Sequence, residues 1–124
     1  MVTNFDEIRY YDGKYELYGY YLNIGSKNNL VLIPGSYTHH TVWEPVVKNA
    51  NINANIFLAE LPGFGKSNPK LPNRTVELFA ELILKLVDAV KIERFFIGGH
   101  SIGGMIAIEM IDHADDRIDG IISC

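Results

Sequence analysis

Phe95-Phe96-Ile97-Gly98-Gly99-His100-Ser101-Ile102-Gly103-Gly104 decides the fold. A short apolar run stops at two glycines, one serine follows, and a helical pattern continues through Met105, Ile108 and Ile111. Gly99 to Gly103 spell G-x-S-x-G, and here the motif sits between an apolar strand and a helix. A turn this tight brings strand and helix together, so residues beside the serine must lack side chains. The serine is expected at positive φ, with its Oγ clear of the backbone. The amide of Ile102 falls in the first helical turn, where N–H groups have no acceptor inside the helix. It is therefore free to hold an oxyanion. A serine that merely capped a helix would not need glycines at 98, 99, 103 and 104.

Outward from this turn, further short apolar runs end in turn residues. Leu30-Val31-Leu32-Ile33 stops at Pro34-Gly35, Ile56-Phe57-Leu58-Ala59 at Glu60-Leu61-Pro62-Gly63, and Ile118 to Ser123 forms one more run. Continuous apolar runs of this length suit strands buried on both faces of a parallel sheet. Between the second run and the motif lies an amphipathic helix at 76–90. Leu78, Phe79, Leu82, Ile83, Leu86, Val87 and Val90 form its stripe, and Thr75 or Asn73 caps its start. Six of the seven tyrosines fall within residues 10–21, around Asp12-Gly13, a strong hairpin signal. Strands are expected there at 4–11 and 14–22. Tyr15, Leu17, Gly19 and Tyr21 share one face of the second, and Glu16, Tyr18, Tyr20 and Leu22 the other. Strands alternating with helices give an α/β fold with a mostly parallel twisted sheet.

With these residues in place, the chain resembles the α/β-hydrolase superfamily, in particular its serine esterase-like and acyltransferase-like members. The hairpin is similar to that family's first two strands. Val31-Leu32-Ile33-Pro34-Gly35-Ser36 resembles the strand and loop that give a second oxyanion donor, and Glu60 to Ser67 resembles its D-x-P-G-x-G-x-S loop. Pro34 replaces the usual histidine and Glu60 the usual aspartate. The resemblance implies a three-layer α/β-hydrolase fold with an N-terminal antiparallel hairpin. The 56–59 strand should lie beside the hairpin, and the 94–98 strand beside 30–33. Ligands then belong at the carboxyl ends of the strands. It also implies Ser101 as nucleophile, with Ile102 and Ser36 N–H as the oxyanion hole. Gly35, Tyr37, His39 and His100 are candidates for the substrate pocket. His100 adjoins Ser101 on a sharp turn, and its ring is expected to point away into the scaffold. His39 and His40 are expected in a solvated loop, and His113 at a helix end where a cation suits the dipole.

In the family the acid and then the histidine follow the last strand present here. All four histidines precede that point. Residues 1–124 therefore read as the N-terminal part of a single α/β-hydrolase domain, cut after the sixth strand. Alone, such a piece should be poorly active, because serine without a general base is a weak nucleophile. Two function classes follow: a serine hydrolase of an ester, thioester or related carbonyl compound, or a non-catalytic binding protein that keeps the scaffold.

Composition narrows the partners. The 124 residues are 48% apolar and 21% charged, which suits one globular domain. Lys plus Arg is 11 against 15 Asp plus Glu, for a net charge of −4 with no basic block, so nucleic acid is not an expected partner. No apolar run approaches the roughly 20 residues of a membrane span, and the start lacks a signal-peptide pattern. One cysteine fits a reducing, cytoplasmic setting. No cofactor or metal is expected: no Cys/His set has zinc spacing, and Gly65-Lys66-Ser67 lacks the upstream glycine of a phosphate loop. A small carbonyl compound is the expected partner, together with self-association through an open sheet edge.

Overall fold

The computed structural model describes residues 4–35, 40–49, 51–61 and 75–123. Strands β1 (Asp6–Tyr11) and β2 (Glu16–Leu22) form the hairpin. They precede β3 (Asn29–Ile33), a 3-10 turn (His40–Trp43), helix α1 (Glu44–Asn49) and β4 (Asn55–Ala59). Helix α2 (Val76–Ala89), β5 (Phe95–Gly99), α3 (Ile102–Ala114) and β6 (Ile118–Ser123) complete the chain. The sheet order is β1-β2-β4-β3-β5-β6. β1, β2 and β4 are paired antiparallel, and β4, β3, β5 and β6 run parallel. This is the order that the resemblance implies.

Strand alternation divides the core between two faces. Leu17, Val31, Ile33, Phe57, Phe95 and Ile97 join the buried side of α2 and α3. Tyr20, Leu32, Ile56 and Leu58 form the opposite face, with Trp43 and Val47 packed against it. The tyrosine-rich strand thus serves both layers, as its alternation predicts. Helix α2 follows its stripe closely and also buries Leu84; Thr75 caps it by accepting from the Leu78 amide at 3.1 Å.

One element differs from the sequence reading, and a second settles an orientation that the reading left open. The segment from His40, expected as solvated loop, forms the 3-10 turn and α1; its six-residue helix buries no residue fully, so it carries little periodic signal. In α3 the pattern of Met105 and Ile108 faces outward: they are 59% and 56% exposed, while Gly103, Ile106, Ala107 and Met110 are buried. The physical reason is closeness. A side chain at Gly103 would meet the Ile33 carbonyl at 2.5 Å, so the contact face uses small residues near its start and the longer ones turn away.

The second face is incompletely covered toward β6. Leu30, Leu32, Trp43, Val46, Gly98 and Ile122 border an apolar groove of about 340 Å³. Ile122 is 62% exposed and Phe96 40%.

The hairpin turn is fixed by Asp12. Its carboxylate accepts from the Tyr15 amide at 2.6 Å and the Lys14 amide at 2.9 Å, and it pairs with Lys85 of α2 at 2.9 Å. Burial pushes this carboxyl up, but the Tyr15 amide, Lys85 and the Lys14 amide outweigh it and hold it below its ordinary value. A carboxyl depressed on folding stabilises the fold above its unfolded pKa of about 3.9 and loses that contribution as pH falls through its folded value. Asp12→Ala should therefore cost about 2 kcal/mol at neutral pH, from two amides left without their acceptor. Asp12→Asn should keep part of the turn but flatten the loss of stability below about pH 4. Urea denaturation at pH 7 and pH 3 checks both; equal acid sensitivity in wild type and Asp12→Asn would contradict this account.

Candidate active site

Because β3, β4 and β5 are parallel, their carboxyl ends lie on one edge of the sheet. Pro34-Gly35, Glu60-Leu61 and His100-Ser101-Ile102 follow those ends directly. Of the remaining sequence candidates, Ser36, Tyr37 and His39 lie outside the described residues, as does the loop 62–70. His40 opens the 3-10 turn.

Ser101 joins β5 to α3 with φ 59° and ψ −121°. A side chain rarely adopts this conformation, which costs on the order of 1–3 kcal/mol and persists only where the surroundings enforce it. The enforcement is visible in the backbone. The His100 amide donates to the Ile33 carbonyl at 3.2 Å, and the His100 carbonyl accepts from Gly103 at 2.9 Å. The Ser101 carbonyl accepts from Gly104 at 2.9 Å. The crowding is equally direct: a Cβ on Gly99 would lie 2.2 Å from the Gly103 carbonyl oxygen. Ser101 makes no capping hydrogen bond with its side chain and is exposed, so its hydroxyl is not consumed by the helix.

The amides of Gly103, Gly104 and Met105 all have acceptors, whereas that of Ile102 has none among the described residues. One aligned donor beside an exposed serine can stabilise a negative oxygen formed there. Gly35, the last described residue after β3, packs against this turn. A Cβ on it would stand 3.2 Å from His100 Nδ1 and 3.4 Å from Ser101 Cβ. His100 is therefore not turned into the scaffold, as the sequence reading expects; its ring is exposed at the rim beside Gly35. Its backbone is held by two hydrogen bonds.

The other residues stand apart. His113 pairs with Glu109 at 3.4 Å near the far end of α3, roughly 18 Å along the helix axis from Ser101 at 1.5 Å per residue. Glu60, in the place of the family's aspartate, is 3% exposed, and its amide donates to the Tyr18 carbonyl at 3.1 Å. That hydrogen bond carries the β2–β4 pairing one residue past the strand and fixes the loop start.

A wider concavity of about 660 Å³ lies at the opposite, amino end of the sheet, lined by Asp88, Lys91, Glu93, Arg94, Asp116 and Arg117. It is a brace. Arg94 pairs with Asp119 and donates to the Asp116 carbonyl at 2.9 Å. Arg117 pairs with Asp88 at 2.8 Å and donates to the Ile92 and Glu93 carbonyls at 2.6 and 2.8 Å. Both guanidiniums are engaged by protein oxygens. Among the described residues no group of His, Cys, Asp or Glu is arranged to hold a metal ion, and no helix is long and apolar enough to cross a membrane.

The sequence model of the alpha/beta hydrolase fold matches residues 28–124. The chain belongs to this family. It is similar to a pimeloyl-[acyl-carrier protein] methyl ester esterase of Pseudoalteromonas atlantica, at 29% identity over 68% of this chain and 31% of that protein. A 2-hydroxy-6-oxononadienedioate/2-hydroxy-6-oxononatrienedioate hydrolase of Paraburkholderia phymatum is 28% identical over 90% of this chain and 41% of its own length. In three dimensions Cfl2 of Burkholderia cenocepacia superposes with a TM-score of 0.89 at 19% identity, covering 98% of this chain and 41% of that one. The chain thus spans about a third to two-fifths of the length of these three proteins.

In this alpha/beta hydrolase the strain at Ser101 is measurable. Ser101→Gly should stabilise the fold by about 1 kcal/mol or more, whereas Ser101→Ala, which keeps a Cβ at positive φ, should not. Gly103→Ala should cost several kcal/mol or prevent folding, since its Cβ would meet two backbone carbonyls at 2.5 and 2.7 Å. Gly25→Ala, at φ 76° in open space, should cost only about 1 kcal/mol. Thermal or urea melts rank the four variants; equal stability of Ser101→Gly and Ser101→Ala would mean that position 101 carries no strain.

Proposed function

We propose that this chain carries the nucleophile of a serine hydrolase that acts on an ester, thioester or related carbonyl compound. Membership of the alpha/beta hydrolase family supports the reaction class, and both curated relatives above are named as an esterase or a hydrolase. One observation carries the assignment to Ser101: an exposed, uncapped serine held at φ 59° between β5 and α3. A fold has no use for that strain in a capping role.

In this reading Ser101 Oγ attacks the carbonyl carbon and its proton passes to a general base. The oxyanion of the tetrahedral intermediate sits on the Ile102 N–H and the Ser36 N–H. The leaving group departs with a proton, and water then releases the acid from the serine ester. The base and its orienting acid are the ones that the family's chain order places after β6. The substrate is a small carbonyl compound, with no cofactor and no metal. The net charge of −4 argues against nucleic acid as a partner, and the setting proposed is cytoplasmic. The alternative, a non-catalytic binding protein on the same scaffold, gives no reason for the strained serine.

Without its base, the 124-residue chain should hydrolyse p-nitrophenyl acetate at close to the background rate, unchanged by Ser101→Ala. Turnover at ordinary enzyme rates, lost in Ser101→Ala, would place a base within these residues and overturn that part of the reading.

The apolar surface at β6 supports self-association of this chain. Phe96, Ile121 and Ile122 are 40%, 39% and 62% exposed beside the outer edge of the sheet. Light scattering should show oligomers that Ile122→Lys reduces; a monomer at high micromolar concentration would reject the association.

A further inference from the structure

The sheet edge opposite β6 is β1. Its residues Asp6–Tyr11 include no proline or glycine and pair with β2 in unbroken register. Edge strands are commonly interrupted by such residues or by bulges, because an open edge invites another strand. Among the described residues no strand lies beyond β1.

The hairpin turn sets the direction of the backbone groups. The Asp12 amide donates to the Tyr15 carbonyl at 3.1 Å, so these two residues form a hydrogen-bonded pair. Such pairs alternate with non-hydrogen-bonded ones along an antiparallel ladder. Asp6, Ile8 and Tyr10 therefore turn their N–H and C=O groups toward β2, whereas Glu7, Arg9 and Tyr11 turn theirs toward the outer edge.

This alternation restricts what a second copy of β1 can do. Two copies related by a two-fold axis run antiparallel, and outward residues must meet outward residues. The axis then passes through a residue, not between two. An axis at Glu7 or at Arg9 sets like charges directly opposite, which is destabilising. An axis at Tyr10 pairs Arg9 with Tyr11 and then runs into the turn at Asp12. An axis at Ile8 sets Glu7 of each copy opposite Arg9 of the other, with Asp6 opposite Tyr10. Arg9 is already held at this edge. Its guanidinium lies 5.3 Å from the centre of the Tyr18 ring and 3.7 Å from Glu16, with the side chain still 63% exposed. Glu7 shares that face, where its carboxylate accepts from the Tyr20 hydroxyl at 3.4 Å.

We propose that β1 is the interface of a two-fold homodimer, pairing antiparallel with β1 of a second copy about Ile8 and joining the two sheets through reciprocal Glu7–Arg9 pairs. The interface lies at the edge remote from β6 and is independent of the chemistry assigned to Ser101.

Sedimentation equilibrium in an Ile122→Lys background tests it, because that substitution weakens association at the other edge. This parent chain should be a dimer. Glu7→Arg and Arg9→Glu, each of which sets like charges opposite one another twice, should raise the dimer dissociation constant about 10-fold or more. The double variant, Glu7→Arg with Arg9→Glu, exchanges the two signs and should recover the parent value. Within one chain the same exchange sets a carboxylate beside Glu16 and recovers nothing, so recovery reports pairing between copies. Thermal melts verify folding. Ile8→Cys, combined with Cys124→Ser, should form a disulfide-linked dimer on mild oxidation, since opposed residues of a non-hydrogen-bonded pair stand about 4.5 Å apart at Cα. Arg9→Cys, off the axis, should not. If a charge variant fails to fold, the crosslink decides alone. A monomeric Ile122→Lys chain, single reversals that leave the dimer intact, a double variant no tighter than the singles, or a dimer without the Ile8→Cys crosslink overturns this interface and leaves the proposed function and the β6 surface standing.

Discussion

The near-contact between the first turn of α3 and the ends of β3 and β5 governs the rest of the molecule. Gly103 lies against the carbonyls of Ile33 and Pro34, and Gly99 against Gly103 itself. Helices ordinarily stand about 10 Å from a sheet because side chains intervene. Here backbone meets backbone, and the serine at the junction has no relaxed conformation left. Positive φ at Ser101 and the close approach of Gly35 to this turn are consequences of one steric constraint.

That constraint also sorts the surface of α3. Its inner face is restricted to glycine at the top and to Ile106, Ala107 and Met110 lower down, where the helix diverges from the strands. Bulk that cannot face inward, at Met105 and Ile108, faces outward. Helix α2 is under no such restriction and fills its inner face with Phe79, Leu82, Ile83 and Leu86. Fully burying side chains of that size contributes roughly 1.5–3 kcal/mol each, so the neighbouring helix anchors a layer whose other member is held by shape.

The sequence made the central sheet legible because β3, β4 and β5 are short apolar runs closed by turn residues, and Asp12-Gly13 is a strong reversal signal. The Ser101 turn was legible for the same local reason: four glycines around one serine have few other uses. What escaped was set by tertiary distance. The orientation of α3 depends on how closely it approaches β3, and an outward Met105–Ile108 stripe has the same period as an inward one. Helix α1 is too short and too shallowly buried to print a pattern. The direction of the His100 ring depends on the contact with Gly35, which is distant in sequence and carries no side chain to signal it.

The pairing of β3 with β5 joins Leu30 to Phe96 and Ile33 to Gly99, segments separated by most of the chain. Such non-local contacts close late in folding, after the loop entropy between them has been overcome. The turn at Ser101 depends on that pairing, since the His100 amide reaches across to Ile33. A nascent or partly opened chain therefore relaxes its serine into an ordinary conformation. The strained geometry exists only while the central strands are zipped, which ties the readiness of the site to global cooperativity rather than to any local fluctuation of its loop.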